Sequence, residues 1–248
     1  MRRAAYTTTG PARDSALRPG PYPCQTAAVS IAFFDLDKTL ISRNSATLWI
    51  RQEFAAGRVT PWQALQAFGY VVRYSLGAAA MDEPIRRSIS GIAGWPEAEM
   101  QARVEAFYEA IVKPILRPGA AAVIESHRAA GERLVLLTSS SNYVSARVAD
   151  DLRLDDYLCN RFEVDADGRY TGRAVEPLCF GAGKVALAER LAGALGVRLA
   201  DCAFYTDSIS DLPMLDAVGR PVAVHPDPRL KRLARQRGWP LADWGQAT

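Results

Sequence analysis

Val29-Ser30-Ile31-Ala32-Phe33-Phe34-Asp35-Leu36-Asp37-Lys38-Thr39-Leu40 is an apolar, β-prone run that delivers two acids and then a threonine. Residues of this kind in an unbroken run read as a buried strand. Asp35 and Asp37 then fall just past its carboxyl end, the place where an open α/β sheet binds ligands. Taken alone, the pair could equally be turn acids, because Asp is common where a strand gives way to a turn.

Further acids and polar groups arrive at comparable places downstream. Arg133 to Thr138 reads as a strand ending on a hydroxyl, followed by Ser139 and Ser140. Lys184 comes directly after Gly181-Ala182-Gly183, at a predicted helix start, where a cation is unfavourable unless something anionic is near. Cys202 to Thr206 reads as a strand that delivers Asp207, with Asp211 in the next helical turn. Four acids gathered at one place would repel at about 4 kcal/mol for each pair 4 Å apart, at an effective dielectric near 20. Such a gathering calls for a cation.

Between the first strand and Arg117 the pattern is helical: Ser45 to Ala56, Pro61 to Leu76, Glu83 to Ile92 and Pro96 to Val112 carry apolar residues at three-to-four spacing. That is too much helix for an ordinary crossover, so residues 41–116 are expected to form an inserted all-helical cap after the first strand. Beyond Arg117, strands and helices alternate as in a doubly wound α/β fold. Helices are expected over Ala120 to Ala130, Asn142 to Leu152, Gly183 to Ala194, Ser210 to Val218 and Asp227 to Arg237. Short strands are expected over Tyr157 to Asn160 and Pro221 to Val224, with a hairpin in Phe162 to Val175 turning at Asp165-Ala-Asp167-Gly168. Residues 29–40 and 117–248 thus form the core domain. Residues 1–28, rich in Arg, Pro and Thr without periodicity, are expected to be a disordered tail.

The 248 residues carry 30 basic and 27 acidic side chains, a net charge of +3 without a basic block, which argues against a nucleic-acid groove. Cys24, Cys159, Cys179 and Cys202 are scattered and only two histidines accompany them, so a zinc site is not expected and reduced thiols in a cytoplasmic protein are. No apolar run of 18 residues argues for a stable membrane insertion. His127 reads as a helix-surface residue and His225 stays unassigned. Nothing in the sequence sets an oligomeric state.

With these motifs in this order, the chain resembles the haloacid dehalogenase superfamily, subfamily IB, and is phosphoserine-phosphatase-like from about Val29 onward. The resemblance implies a Rossmann-like core with a cap of the C1 type and a Mg²⁺-dependent phosphomonoesterase working through an aspartyl-phosphate. Asp35 would be nucleophile and metal ligand, and Asp37 the general acid and base, its backbone carbonyl also on the metal. Thr138, Ser139 and Lys184 would bind the substrate phosphate. Asp207 would complete the metal site, with Asp211 binding through water or directing Lys184. The expected partner is a small-molecule phosphate ester, phosphoserine by default. Two departures bear on that default: Ser42-Arg43-Asn44-Ser45 lacks the acid that meets the substrate amino group, and Ser139 and Ser140 replace the usual glycines. Polyol, histidinol and lipid phosphates therefore stay open. So does a non-catalytic binding module using the cap or the basic helix bearing Lys231, Arg232, Arg235 and Arg237.

Overall fold

The structure, a computed structural model, describes residues 30–246 apart from 63–64, 67–68 and 70–81. The expected tail over 1–28, Cys24 within it, and most of the helix expected over Pro61 to Leu76 lie outside the described residues.

β1 (Ile31–Phe34) is buried along its whole length. Ala32 and Phe34 join one apolar layer and Ile31 and Phe33 the other. A strand covered on both faces needs apolar residues at every position, which is why the sequence shows a continuous run instead of alternation.

Three helices come next, α1 (Ser45–Ala55), α2 (Asp82–Ser90) and α3 (Glu97–Phe107), the last running on through a wide turn over Tyr108–Val112. Among the described residues this stretch contributes no strand to the sheet. It leaves and rejoins the core at one point: Ser42 N–H donates to the Ile115 carbonyl at 2.9 Å and Arg117 N–H to the Leu40 carbonyl at 2.8 Å.

The remainder alternates as α4 (Pro118–Ala129), β2 (Arg133–Ser141), α5 (Asn142–Asp151), β3 (Asp156–Val164), β4 (Tyr170–Val175), α6 (Ala182–Ala194), β5 (Ala203–Thr206), α7 (Leu212–Ala217), β6 (Arg220–Val224), α8 (Pro228–Arg237) and β7 (Leu241–Ala242). The seven strands are ordered β4-β3-β2-β1-β5-β6-β7. β1, β2, β3, β5, β6 and β7 pair in parallel, and β4 closes one edge antiparallel to β3. The doubly wound α/β expectation holds, with that antiparallel edge as its one exception.

Several boundaries move. β2 does not stop at Thr138 but continues to Ser141, its register against β3 shifting between Leu137 and Ser141. The separate short strand expected at Tyr157 to Asn160 is the first half of a longer β3 that also forms one arm of the hairpin. At the hairpin turn, Asp165 Oδ1 accepts the N–H groups of Asp167 and Arg169 at 3.0 and 2.9 Å, and Gly168 supplies a φ of 72°. His127 is not on the helix surface: it is 8% exposed, inside the layer between α4 and β5. Its Nε2 lies 2.7 Å from Tyr205 Oη, and its Nδ1 pairs closely with Glu132.

Candidate active site

The three central strands β2, β1 and β5 lie side by side, so the residues just past their carboxyl ends meet at one edge of the sheet. Asp35 is the first residue past β1, and its N–H donates to the Tyr205 carbonyl on β5 at 2.9 Å. The chain then makes a wide turn. Lys38 takes a left-handed φ of 59°, and Ile41 N–H donates back to the Leu36 carbonyl at 3.0 Å.

Asp37 therefore sits in a turn. Its Oδ1 accepts Ser45 N–H at 2.7 Å, and its Oδ2 accepts from Asn44 Nδ2 at 3.2 Å. Asn44 in turn caps α1, its Oδ1 accepting Thr47 N–H at 2.9 Å. A helix start offers unpaired N–H groups and a positive dipole end, so the first turn of α1 holds the Asp37 carboxyl group in place.

Lys184 reaches the site because α6 starts hard against the preceding loop. A Cβ on Gly183 would lie 1.9 Å from the Leu178 carbonyl oxygen, a position only glycine can occupy. From there Lys184 Nζ lies 2.8 Å from Asp35 Oδ1 and 2.8 Å from Asp211 Oδ2. Asp211 Oδ2 also accepts from Thr206 Oγ1 at 2.6 Å. Asp207 is 7% exposed, and among the described residues no donor reaches its carboxylate. The Asp207 carbonyl accepts Asp227 N–H at 2.8 Å, and Asp227 itself caps α8 and accepts Ile209 N–H at 2.7 Å.

Burial pushes the Asp35 carboxyl up to about 7 against the opposing pull of Lys184. Burial also raises Asp37, with the Ser45 hydrogen bond working the other way. Asp207 is held well above the usual carboxylate range because it is buried and faces Asp35. In each case burial disfavours the charged carboxylate. A buried, undonated Asp207 beside Asp35 is a pair of hard oxygen donors of the kind Mg²⁺ takes. Among the described residues no three His, Cys, Asp or Glu side chains converge on a metal position. The fit thus rests on two carboxylates and uncharged oxygens, which suits an ion that keeps several waters.

A cavity of about 380 Å³ opens over Asp35, Asp37 and Asp207. Ser139, Ser140 and Ser141 line it from the end of β2. Thr138, Lys184 and Asp211 stand one layer behind, at 1% exposure each. The Thr138 hydroxyl accepts Ser140 N–H at 3.2 Å. The residues singled out from the sequence, Asp35, Asp37, Thr138, Ser139, Lys184, Asp207 and Asp211, all come to this one place, some at the cavity wall and some behind it.

Reading the sequence alone misses several contributors. Asn160 ties the end of β2 to the loop before α6, donating to the Ser139 carbonyl at 2.7 Å and accepting Cys179 N–H at 2.8 Å. Arg117, 5% exposed, donates to the Lys38 carbonyl at 3.2 Å and so braces the turn after β1. Asp227 and Lys38 line the cavity. The Asp-Pro pair at Asp227 signals a helix cap but not its second bond to the Asp207 loop. His225, left unassigned, accepts Trp244 N–H at 2.8 Å and does not line the cavity. Cys159, Cys179 and Cys202 are buried and free. No helix among the described residues is long and apolar enough to cross a membrane.

Acids at the carboxyl edge of a doubly wound sheet, backed by a buried lysine, stand where an α/β enzyme binds its ligand. Residues 32–216 match the model of the haloacid dehalogenase-like hydrolases, and the chain belongs to that family. It is 34% identical to an "inhibition of morphological differentiation protein" of Streptomyces azureus, over 86% of this chain and 78% of that one. It is 33% identical to a phosphoserine phosphatase of Mycobacterium tuberculosis (strain ATCC 25618 / H37Rv), over 86% and 70%. Among solved structures it resembles a protein of unknown function from Bordetella pertussis Tohama I, with a TM-score of 0.79 at 31% identity, covering 88% of this chain and all, 100%, of that one. Membership of a hydrolase family displaces the non-catalytic module as a reading.

Proposed function

We propose that this chain hydrolyses a small phosphomonoester through a phosphorylated Asp35. The observation that carries the reading is Lys184, fully buried and within 2.8 Å of both Asp35 and Asp211, behind a carboxylate that faces a cavity. An ammonium there neutralises Asp35, so a dianionic phosphate can approach it.

In the first half-reaction an Asp35 oxygen attacks phosphorus as the bond to the leaving oxygen breaks, and Asp37, whose carboxyl burial pushes up from its ordinary value, gives that oxygen a proton. In the second, Asp37 takes a proton from water whose oxygen attacks phosphorus. The bond to Asp35 breaks, inorganic phosphate leaves, and both carboxyl groups return to their starting state. Ser139 meets the phosphate at the cavity wall, while Thr138 and Lys184 support it from behind. Asp35 and Asp207, with the Asp37 carbonyl, would hold Mg²⁺. When bound, that ion supplies positive charge to the phosphoryl oxygens.

Residues 41–116 act as a cap over a core of 29–40 and 117–248, since both of their ends cross at Ser42 and Ile115. A small-molecule phosphate ester is the partner, and the buried free thiols suit a cytoplasmic setting. Asp35→Asn should lower turnover of p-nitrophenyl phosphate at least about 10³-fold in protein that still unfolds cooperatively. Retained turnover in that variant overturns the assignment.

A further inference from the structure

The cavity wall opposite the acids comes from the helical segment, and it is apolar. Trp49 on α1, Ile85 and Ile89 on α2, and Met100 and Phe107 on α3 line it, with Phe162 of β3 closing the side. Its polar members from this segment are uncharged: Asn44, Ser45 and Ser88. Every charged residue lining the cavity belongs to the catalytic side, namely Asp35, Asp37, Lys38, Asp207 and Asp227. Among the described residues the helical wall offers no charge to a substrate.

Among the described residues, the charged side chains of this segment do not line the cavity. Glu53, 3% exposed, is closely paired with Arg103 and bonded to Arg58 at 2.8 Å, away from the cavity. Arg103 lies over the rings of Trp49 and Trp95, with its guanidinium carbon 5.6 and 5.2 Å from their centroids, and so fixes Trp49 from behind. A charged ammonium and carboxylate enclosed against such a wall would lose hydration without gaining partners.

Resting on the phosphatase reading above, the geometry points to a substrate class: phosphomonoesters of an uncharged alcohol whose body is predominantly apolar, an alkyl, acyl or aromatic group. A cavity of about 380 Å³ accommodates a body of modest size beside the phosphate.

The test is a series of n-alkyl phosphates from ethyl to hexyl, run beside phosphoserine, glycerol phosphate and p-nitrophenyl phosphate. At about 0.8 kcal/mol for each buried methylene, kcat/KM should rise about three- to fourfold per added methylene until the cavity is full. Phosphoserine and glycerol phosphate should fall at least tenfold below hexyl phosphate. Ile89→Ala and Trp49→Ala should each lower the hexyl-to-ethyl ratio about fivefold or more, an internal ratio that a partly folded preparation leaves intact. A flat series, or phosphoserine matching hexyl phosphate while p-nitrophenyl phosphate is turned over, overturns this inference alone. Absence of turnover on every ester removes the phosphatase reading with it.

Discussion

Asp211 holds the same Lys184 ammonium that meets Asp35, Oδ2 to Nζ at 2.8 Å, with both side chains almost wholly shielded from water. Asp211 thereby positions the ammonium without touching the cavity. Replacing it by Asn should lower kcat about 10- to 100-fold with little change in KM, because a misplaced charge behind the nucleophile is felt in the chemical step. Lys184→Ala should in addition cost about 3–5 kcal/mol of stability, as it leaves buried carboxylates uncompensated. Steady-state kinetics and urea unfolding on the two variants check both expectations.

Asp207 gives a pH signature. Its carboxyl is held well above the usual value in the folded protein, so folding favours its protonated form. The stability this contributes is present at acid pH and is lost as pH rises above its ordinary value of 3.8. In EDTA, Asp207→Asn should therefore be more stable than the parent at pH 7.5, and the gain should shrink at pH 5. Mg²⁺ should raise the melting temperature of the parent at pH 7.5 and not that of the variant. Equal response to Mg²⁺ in both would remove Asp207 from the cation site.

Gly183 predicts a steric failure. The added methyl of Gly183→Ala would meet the Leu178 carbonyl oxygen at 1.9 Å, a backbone atom that cannot swing aside. The loop or α6 must shift, at about 3 kcal/mol. Lys184 moves with α6, so turnover should drop even in the folded fraction. Thermal unfolding and specific activity read the two effects separately.

His127 carries a contrasting prediction. His127→Ala strands the Tyr205 hydroxyl and removes a partner of Glu132, at about 2–4 kcal/mol. Neither partner lines the cavity, so kcat should stay within about threefold of the parent when assayed well below the melting temperature. A larger loss of kcat would connect this buried network to the site.

The site is legible in the sequence because its members are tied to strand ends and to a glycine-marked helix start, features written locally in the chain. Asn160 and Arg117 are not, since each works through a contact with a residue far away in sequence, Ser139 and Lys38. His127 is misread although a signal exists: Ala120, Ile124 and His127 share one face of α4 at spacings of four and three, and all three are buried. The extra length of β2 and β3 escapes notice because serines and an arginine occupy strand positions there, held by pairing with neighbours that local propensity does not see.

The residue expected to shuttle protons is clasped by the opening turn of the same helix that presents Trp49 to the substrate body. Recognition and acid delivery are thus geared to one rod. Remodelling α1 to accept a different alcohol would also reset the orientation of Asp37, so a new preference acquired there should arrive together with a slower or retuned enzyme.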